Sequence, residues 1–210
     1  MYLKACVFVG SFLSMTYLEY YSSHLDWKPT SFVHHIIVSS ASNYLLYNEP
    51  EKMFHITEYN SSDLLPLYNY VPMISCAYGY FDLYHAIKDK QSFDFVFHGF
   101  FFIGATSWGL YNNVLHWVYP GLLLETSSIF LSTIRTHPIV KYFFGASFLV
   151  YRNMIFPYIC GYWFYHNANL YEPVMNNEKV LALFMVIINI LNFFWGYKVI
   201  KKISKHLKGE

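Results

Sequence analysis

His34, His35, Asp82, His85, His98, Glu125 and Arg152 lie inside apolar runs of this chain. Polar groups in such runs are costly in lipid and usually face a protein interior or a wet cavity. His98, in DFVFHGFFFIG, can accept a proton, attack as a nucleophile or donate a hydrogen bond. Gly99 beside it admits close approach of a neighbouring helix. Tyr78, Asp82 and His85 are spaced i, i+4, i+7, which puts them on one helical face where Asp82 can accept a hydrogen bond from His85. Glu125 shares a face with Ser128 and Ser132. Arg152 is the base of fixed charge within a run, so Glu125 or Asp82 is its natural partner. His34 and His35 diverge by about 100°, so one of them is expected to face the interior. Asn189, Asn192 and Gly196 share a face that is either helix glue or a cavity wall.

Other chemistry leaves no trace. There is no HExxH pair, Gly-rich phosphate loop or nucleophile elbow. Cys6, Cys76 and Cys160 form neither a zinc spacing nor a disulfide framework. No metal and no cofactor is expected.

The elements that must position these residues are spans. Hydrophobic residues make up 55% of the 210 and charged residues 13%, with a mean hydropathy of +0.26. Soluble domains carry roughly 25% charged residues. The chain reads as an all-α polytopic membrane protein of about seven transmembrane helices, near 5–21, 30–47, 65–87, 93–110, 115–134, 142–165 and 180–200. Lys4 followed by ACVFVGSFLSM resembles a signal peptide, but bulky Tyr17–Tyr21 offers no small-residue cleavage site, so a retained span is expected. Pro157 should kink the sixth span and free a carbonyl.

Charge then orients the spans. Lys198, Lys201, Lys202, Lys205 and Lys208 make the C-terminal end cytosolic. With seven spans, Lys28, Lys88, Lys90, Arg135 and Lys141 fall on the same side, giving ten of the 14 basic residues. The N-terminus and the acidic loop 48–64 are then lumenal. Asn60-Ser61-Ser62, a glycosylation sequon, falls in that loop and makes Asn60 a candidate. Residues 1–29 read as a first helix with a cytosolic link, 30–200 as the main domain and 201–210 as a basic cytosolic tail. The net charge of +1 gives no reason to expect a nucleic-acid partner.

In this order, FVHHIIVS, YFDLYHAI, FHGFFF, LLLETSSIFLSTIR, VYRNMIFPY and LNFFWGYKVIKKI resemble the TLC-domain family, over roughly 30–205. That family takes in translocating-chain-associating membrane proteins, longevity-assurance ceramide synthases and a ceroid-lipofuscinosis protein. Among its members the chain is most similar to the small TLC-domain proteins of unassigned activity. The resemblance implies a six-helix membrane barrel around a cavity, preceded by an extra span, and residence in the endoplasmic reticulum. It also implies a membrane lipid as partner.

The synthases join a fatty acyl-CoA to a sphingoid base, using a His-His pair and a His-Asp-containing stretch. By resemblance His98 matches the first His, while Gly99 stands in place of the second. Glu125 stands in the acidic region, preceded by Leu124 where a His belongs. The expectation is a protein that binds, senses or organises lipids, without ceramide synthase activity. His34, His35, His85, Arg152 and Asn192 would be polar residues of the lipid cavity. The alternative is an acyl-CoA-dependent N-acyltransferase in which His98 acts as base or nucleophile and Glu125 or Asp82 orients it.

Overall fold

The computed structural model describes residues 2–22, 25, 28–60, 65–167 and 176–207. Their regular structure is helical. Helices α1 (Tyr2–Ser22), α2 (Pro29–Asn48), α4 (Leu67–Lys88) and α5 (Phe93–Tyr111) coincide with the first four expected spans. A short α3 (Pro50–Phe54) lies in the loop after α2. Proline opens α2 and α3, where a missing N–H costs nothing and its fixed φ suits the first turn. Lys90 (φ 50°) ends α4 and Asn113 (φ 59°) ends α5 in left-handed turns. There the Gln91 N–H reaches the Ala86 carbonyl (2.9 Å) and the Val114 N–H reaches that of Gly109 (2.8 Å). These six-to-one bonds satisfy carbonyls that a helix end would otherwise leave open.

The fifth expected span is not one helix. Residues 115–134 split into a 3-10 turn (Leu115–Val118), a short α6 (Tyr119–Leu122) and α7 (Glu125–Ser132). Pro120 cannot donate a backbone bond. Around Leu123 and Leu124 the bonds tighten to i→i+3, as from Leu124 N to Gly121 O and from Ser127 N to Leu124 O. The break brings Glu125 to the head of its own helix.

The sixth span is continuous but loosened. Helix α8 (Pro138–Val150) runs through a π-helical stretch, Tyr151–Ile155, into α9 (Phe156–Asn167). The Phe156 N–H bonds back to the Tyr151 carbonyl, one residue further than in an α-helix. Pro157 follows directly, and the wider turn takes up the carbonyl crowding that a helical proline causes. Arg152 and Asn153 sit on this widened turn. Helix α10 (Asn176–Leu207) continues through the basic residues Lys201, Lys202 and Lys205, so the expected tail is helical as far as it is described.

Six elements close a ring. Helix α4 packs on both α5 and α2; α2 packs on α7, α7 on α8, and the α8–α9 rod on α10. Ring contacts close the circle between α10 and α5: Phe101 with Phe184 (5.1 Å) and Trp108 with Phe184 (5.6 Å). Helix α1 stands outside, mainly against α4. The interior is filled by residues such as Val38, Leu45, Tyr68, Tyr119 and Leu123. A Cβ at position 99 would lie 3.1 Å from Leu83, so Gly99 sits at a close approach of α5 to α4, as its position beside His98 suggests.

Large apolar side chains point outward on the ring. Along α10 these are Leu183, Val186, Ile190, Phe193 and Phe194. Among the described helices, Asn177–Lys205 alone is long and apolar enough by itself to cross a membrane, with a mean hydropathy of 2.0. The other candidate spans carry Tyr, His, Ser and Asn, which lower the hydropathy average.

Candidate functional site

His35, on α2, lies between two residues of α7. Its Nε2 is 3.1 Å from Glu125 Oε2 and its Nδ1 is 2.9 Å from Ser132 Oγ. Ser132 comes seven positions after Glu125, so two helical turns offer one partner to each ring nitrogen of the imidazole. His35 is 6% exposed and Glu125 7%. His34 is also buried but faces α4. Its Nε2 lies 3.2 Å from Ser75 Oγ, and its ring stacks on Tyr78 at 3.8 Å. The expectation that one of the two histidines faces inward is therefore corrected. The 100° divergence sends both inward, toward different neighbours.

The partners of the charged residues also differ from expectation. Arg152, 6% exposed, makes no ion pair with Glu125 or Asp82. Its Nε donates to Ser127 Oγ and its Nη2 to Ser128 Oγ, both at 2.9 Å, and its plane lies over Phe148. Ser127 spends its own proton on the Leu124 carbonyl, which leaves its oxygen free to accept. The face shared by Glu125, Ser128 and Ser132 thus serves both His35 and Arg152. The Tyr78 hydroxyl lies 2.9 Å from Ser31 Oγ and 3.4 Å from Asp82 Oδ1, and its single proton serves one of the two. His85 does not bond Asp82. It turns toward Asp89, 3.9 Å away, at the exposed end of α4. The π-helical turn just before Pro157 carries Arg152, which bonds a serine pair on α7.

Inside the ring lies a hollow between α5, α10, α9 and the broken segment before α7. It is half open, and its empty space comes to about 670 Å³ only when the open solvent at its mouth is included. Phe101, Trp108, Trp117, Phe156 and Phe184 form apolar walls, and His98 and Glu125 both line it. His98 lies edge-on to Trp195 at 5.5 Å, and its Nδ1 is buried without a hydrogen-bond partner. Of the expected common interior of the third to sixth spans, His98 and Glu125 share this hollow, while Asp82 and Arg152 are not among its lining residues. No carboxylate hydrogen-bonds His98 among the described residues, so neither Glu125 nor Asp82 orients it here.

Asn192, fully buried on α10, has neither its amide nitrogen nor its amide oxygen engaged. Its backbone carbonyl accepts from Asn153 Nδ2 at 3.3 Å. A Cβ at Gly196 would come within 2.7 Å of the Asn153 amide, so that glycine makes room for it. Asn189 bonds the Met185 carbonyl and leaves its oxygen open. Asn60 is exposed, while Ser61 and Ser62 of its sequon lie outside the described residues, as do Asp63 of that loop and Lys208. Among the described residues no group of three or more His, Cys, Asp or Glu is placed to hold a metal.

Sequence reasoning did not single out Ser127, Asn153, or the hollow's walls Trp108, Trp117 and Phe156. Ser127 was legible as part of the Glu125-Thr-Ser-Ser run. The aromatic walls carry no local signal in a chain with 22% aromatic residues.

The model of the TLC domain matches residues 28–201. No curated protein and no solved structure is matched. The match spans most of the chain, and the chain belongs to the TLC-domain family.

Proposed function

We propose that this member of the TLC-domain family is a multi-pass membrane protein of the endoplasmic reticulum that binds, senses or organises lipids, without ceramide synthase activity. The observation that carries the reading is the aromatic-walled hollow inside the ring, with polar groups at one place in its lining. Small-molecule sites are typically apolar concavities with a few placed polar groups. Apolar aromatic walls match the chemistry of a lipid chain. The outward Leu, Ile and Phe side chains of α10 would face lipid rather than water.

Seven crossings, a lumenal N-terminus and a cytosolic C-terminus follow from the charge pattern. Residues 1–29 supply the outer helix and its cytosolic link, 30–200 the lipid-binding ring, and 201–210 a basic cytosolic end. His98, Glu125 and Arg152, with His34, His35 and Asn192 behind them, are the polar residues of the site. Asp82 and His85 lie toward the cytosolic end of α4. Glycosylation at Asn60 together with a cytosolic C-terminal tag is the expected topology result; a lumenal tag refutes the orientation.

Mass spectrometry of the protein purified in mild detergent should find lipid at near-stoichiometric amounts. A preparation that retains no lipid in any detergent, and binds none when lipid is added, sinks the proposal.

One observation favours a second reading, an acyl-CoA-dependent N-acyltransferase acting on a sphingoid base. His98 lines the hollow with a free Nδ1, and Glu125 lines the same hollow. Against it stand Gly99 and Leu124, where the synthase motif has histidines. Purified protein given acyl-CoA and a long-chain base should then form N-acylated product that disappears in His98→Ala. No turnover across a broad acceptor panel removes this reading.

A further inference from the structure

Four elements of the ring change character at the same level. On α5, His98 lies one turn before Phe102. On α7, Ser128 lies one turn after Leu124. On the rod, Arg152 lies one turn before Phe156, and on α10 Asn192 lies one turn after Ile188. Phe102, Leu124, Phe156 and Ile188 all line the hollow. A helix repeats its facing residue every three to four positions, so these polar residues make a layer, or floor, one turn below the apolar walls, and of the four His98 lines the hollow itself. Three contacts knit this floor together: Arg152 to Ser128, Asn153 to the Asn192 carbonyl, and His98 to Trp195, one turn from Asn192.

The floor carries unanswered demand. Buried polar atoms are nearly always hydrogen-bonded, and each exception needs a reason. Here the exceptions are both amide atoms of Asn192, the Asn153 oxygen and His98 Nδ1. Arg152 adds an electrostatic demand. Its hydrogen bonds go to neutral hydroxyls, and among the described residues no carboxylate lies within ion-pair distance.

Glu125 makes no ion pair with Arg152 and is bound to His35 instead. The Ser132 hydroxyl donates to the Ser128 carbonyl (2.9 Å), so its oxygen accepts from His35 Nδ1–H. The remaining contact, His35 Nε2 to Glu125 Oε2, needs a proton on one of its two atoms. The histidine–glutamate pair is then neutral as a unit. A guanidinium buried in an apolar interior without an anion is costly.

We propose that this floor is the receptor for the anionic head, a carboxylate, of a single-chain lipid whose tail fills the aromatic hollow. Arg152 supplies the charge, through the Nη1 left free by its two serine bonds. Asn192 and His98 supply hydrogen bonds around the head. The inference rests on the lipid-binding reading and adds the chemistry of the head group. Arg suits a carboxylate because its planar fork presents several N–H groups at once.

The test compares palmitate, methyl palmitate and hexadecylamine binding to the full-length protein in detergent, by competition against a fluorescent single-chain lipid. Palmitate is expected to bind at least about ten-fold tighter than its methyl ester, equivalent to about 1.4 kcal/mol. The amine is expected to bind more weakly than either. Arg152→Gln should bring the palmitate-to-ester ratio to about one while ester binding persists, and Arg152→Lys should keep part of the preference.

Equal binding of acid and ester to the wild type overturns the head-group assignment and leaves lipid binding standing. Tighter binding of the amine overturns it as well. Binding of none of the three removes both. If Arg152→Gln does not fold, the wild-type ratio decides alone, and Asn192→Leu, expected to reduce palmitate affinity at least three-fold relative to the ester, serves as the second variant. An unchanged ratio in Asn192→Leu removes Asn192 from the receptor and overturns the floor as drawn.

Discussion

The α2–α4–α7 side of the ring and the α5–α9–α10 side are both polar inside, and although His34 Nδ1 and Ser39 Oγ stay open on the first, the two differ in how their buried groups are paired. On the first, each buried ionisable side chain is held by another side chain. His35 bridges Glu125 and Ser132, Tyr78 bonds Ser31, and His34 bonds Ser75 through one nitrogen while stacking on Tyr78. On the second, Asn192 has no side-chain partner at all and His98 leaves Nδ1 open. Closed networks stiffen an interior, and open groups await something that closes them. The first side therefore acts as scaffold, and the second faces the ligand. Arg152 stands at the seam, tied to the scaffold through α7 serines and unmatched in charge toward the hollow.

Substitutions can break this contrast. Glu125→Ala strands His35, and removing one partner of a buried pair costs about 3–5 kcal/mol. Thermal unfolding of the detergent-solubilised protein should fall sharply, and the double variant His35→Leu/Glu125→Leu should regain much of the loss. A single variant as stable as wild type would mean that this side is not scaffold. Next in size is Gly196→Ala, which drives a methyl group against the Asn153 amide; overpacking of this kind costs about 1–3 kcal/mol, read in the same melt. Tyr78→Phe removes the hydroxyl that lies between Ser31 and Asp82 and should cost about 1 kcal/mol.

The smallest effect is expected on the open side. Asn192→Leu replaces an amide without partners by an apolar group of similar size, which is neutral or stabilising. The melt should move little or upward while palmitate selectivity falls. If Asn192→Leu destabilises as much as Glu125→Ala, the two sides do not differ and the division into scaffold and receptor fails.

Much of the ring was legible. Four helices lie where apolar runs of the right length end at turn residues. The facing of Glu125, Ser128 and Ser132 followed from i, i+3, i+7 spacing. The partners were not legible, because spacing fixes a face and not a neighbour. Arg152 was expected on a carboxylate and bonds serines; Asp82 was expected on His85 and lies by Tyr78. The fifth span read as one helix because its hydropathy is continuous. Its break at Leu123 and Leu124 depends on backbone bonds around Pro120 that hydropathy does not record.

The sequence by itself determined that polar side chains would be enclosed by apolar helices, since their residue types and periodicity leave no other economical place for them. The order of those residues also carried the family. Only the tertiary structure decided which of them close on each other and which remain open. That outcome depends on helix order around the ring, on a π turn at Arg152, and on ångström-scale distances between residues as far apart in the chain as His35 and Ser132.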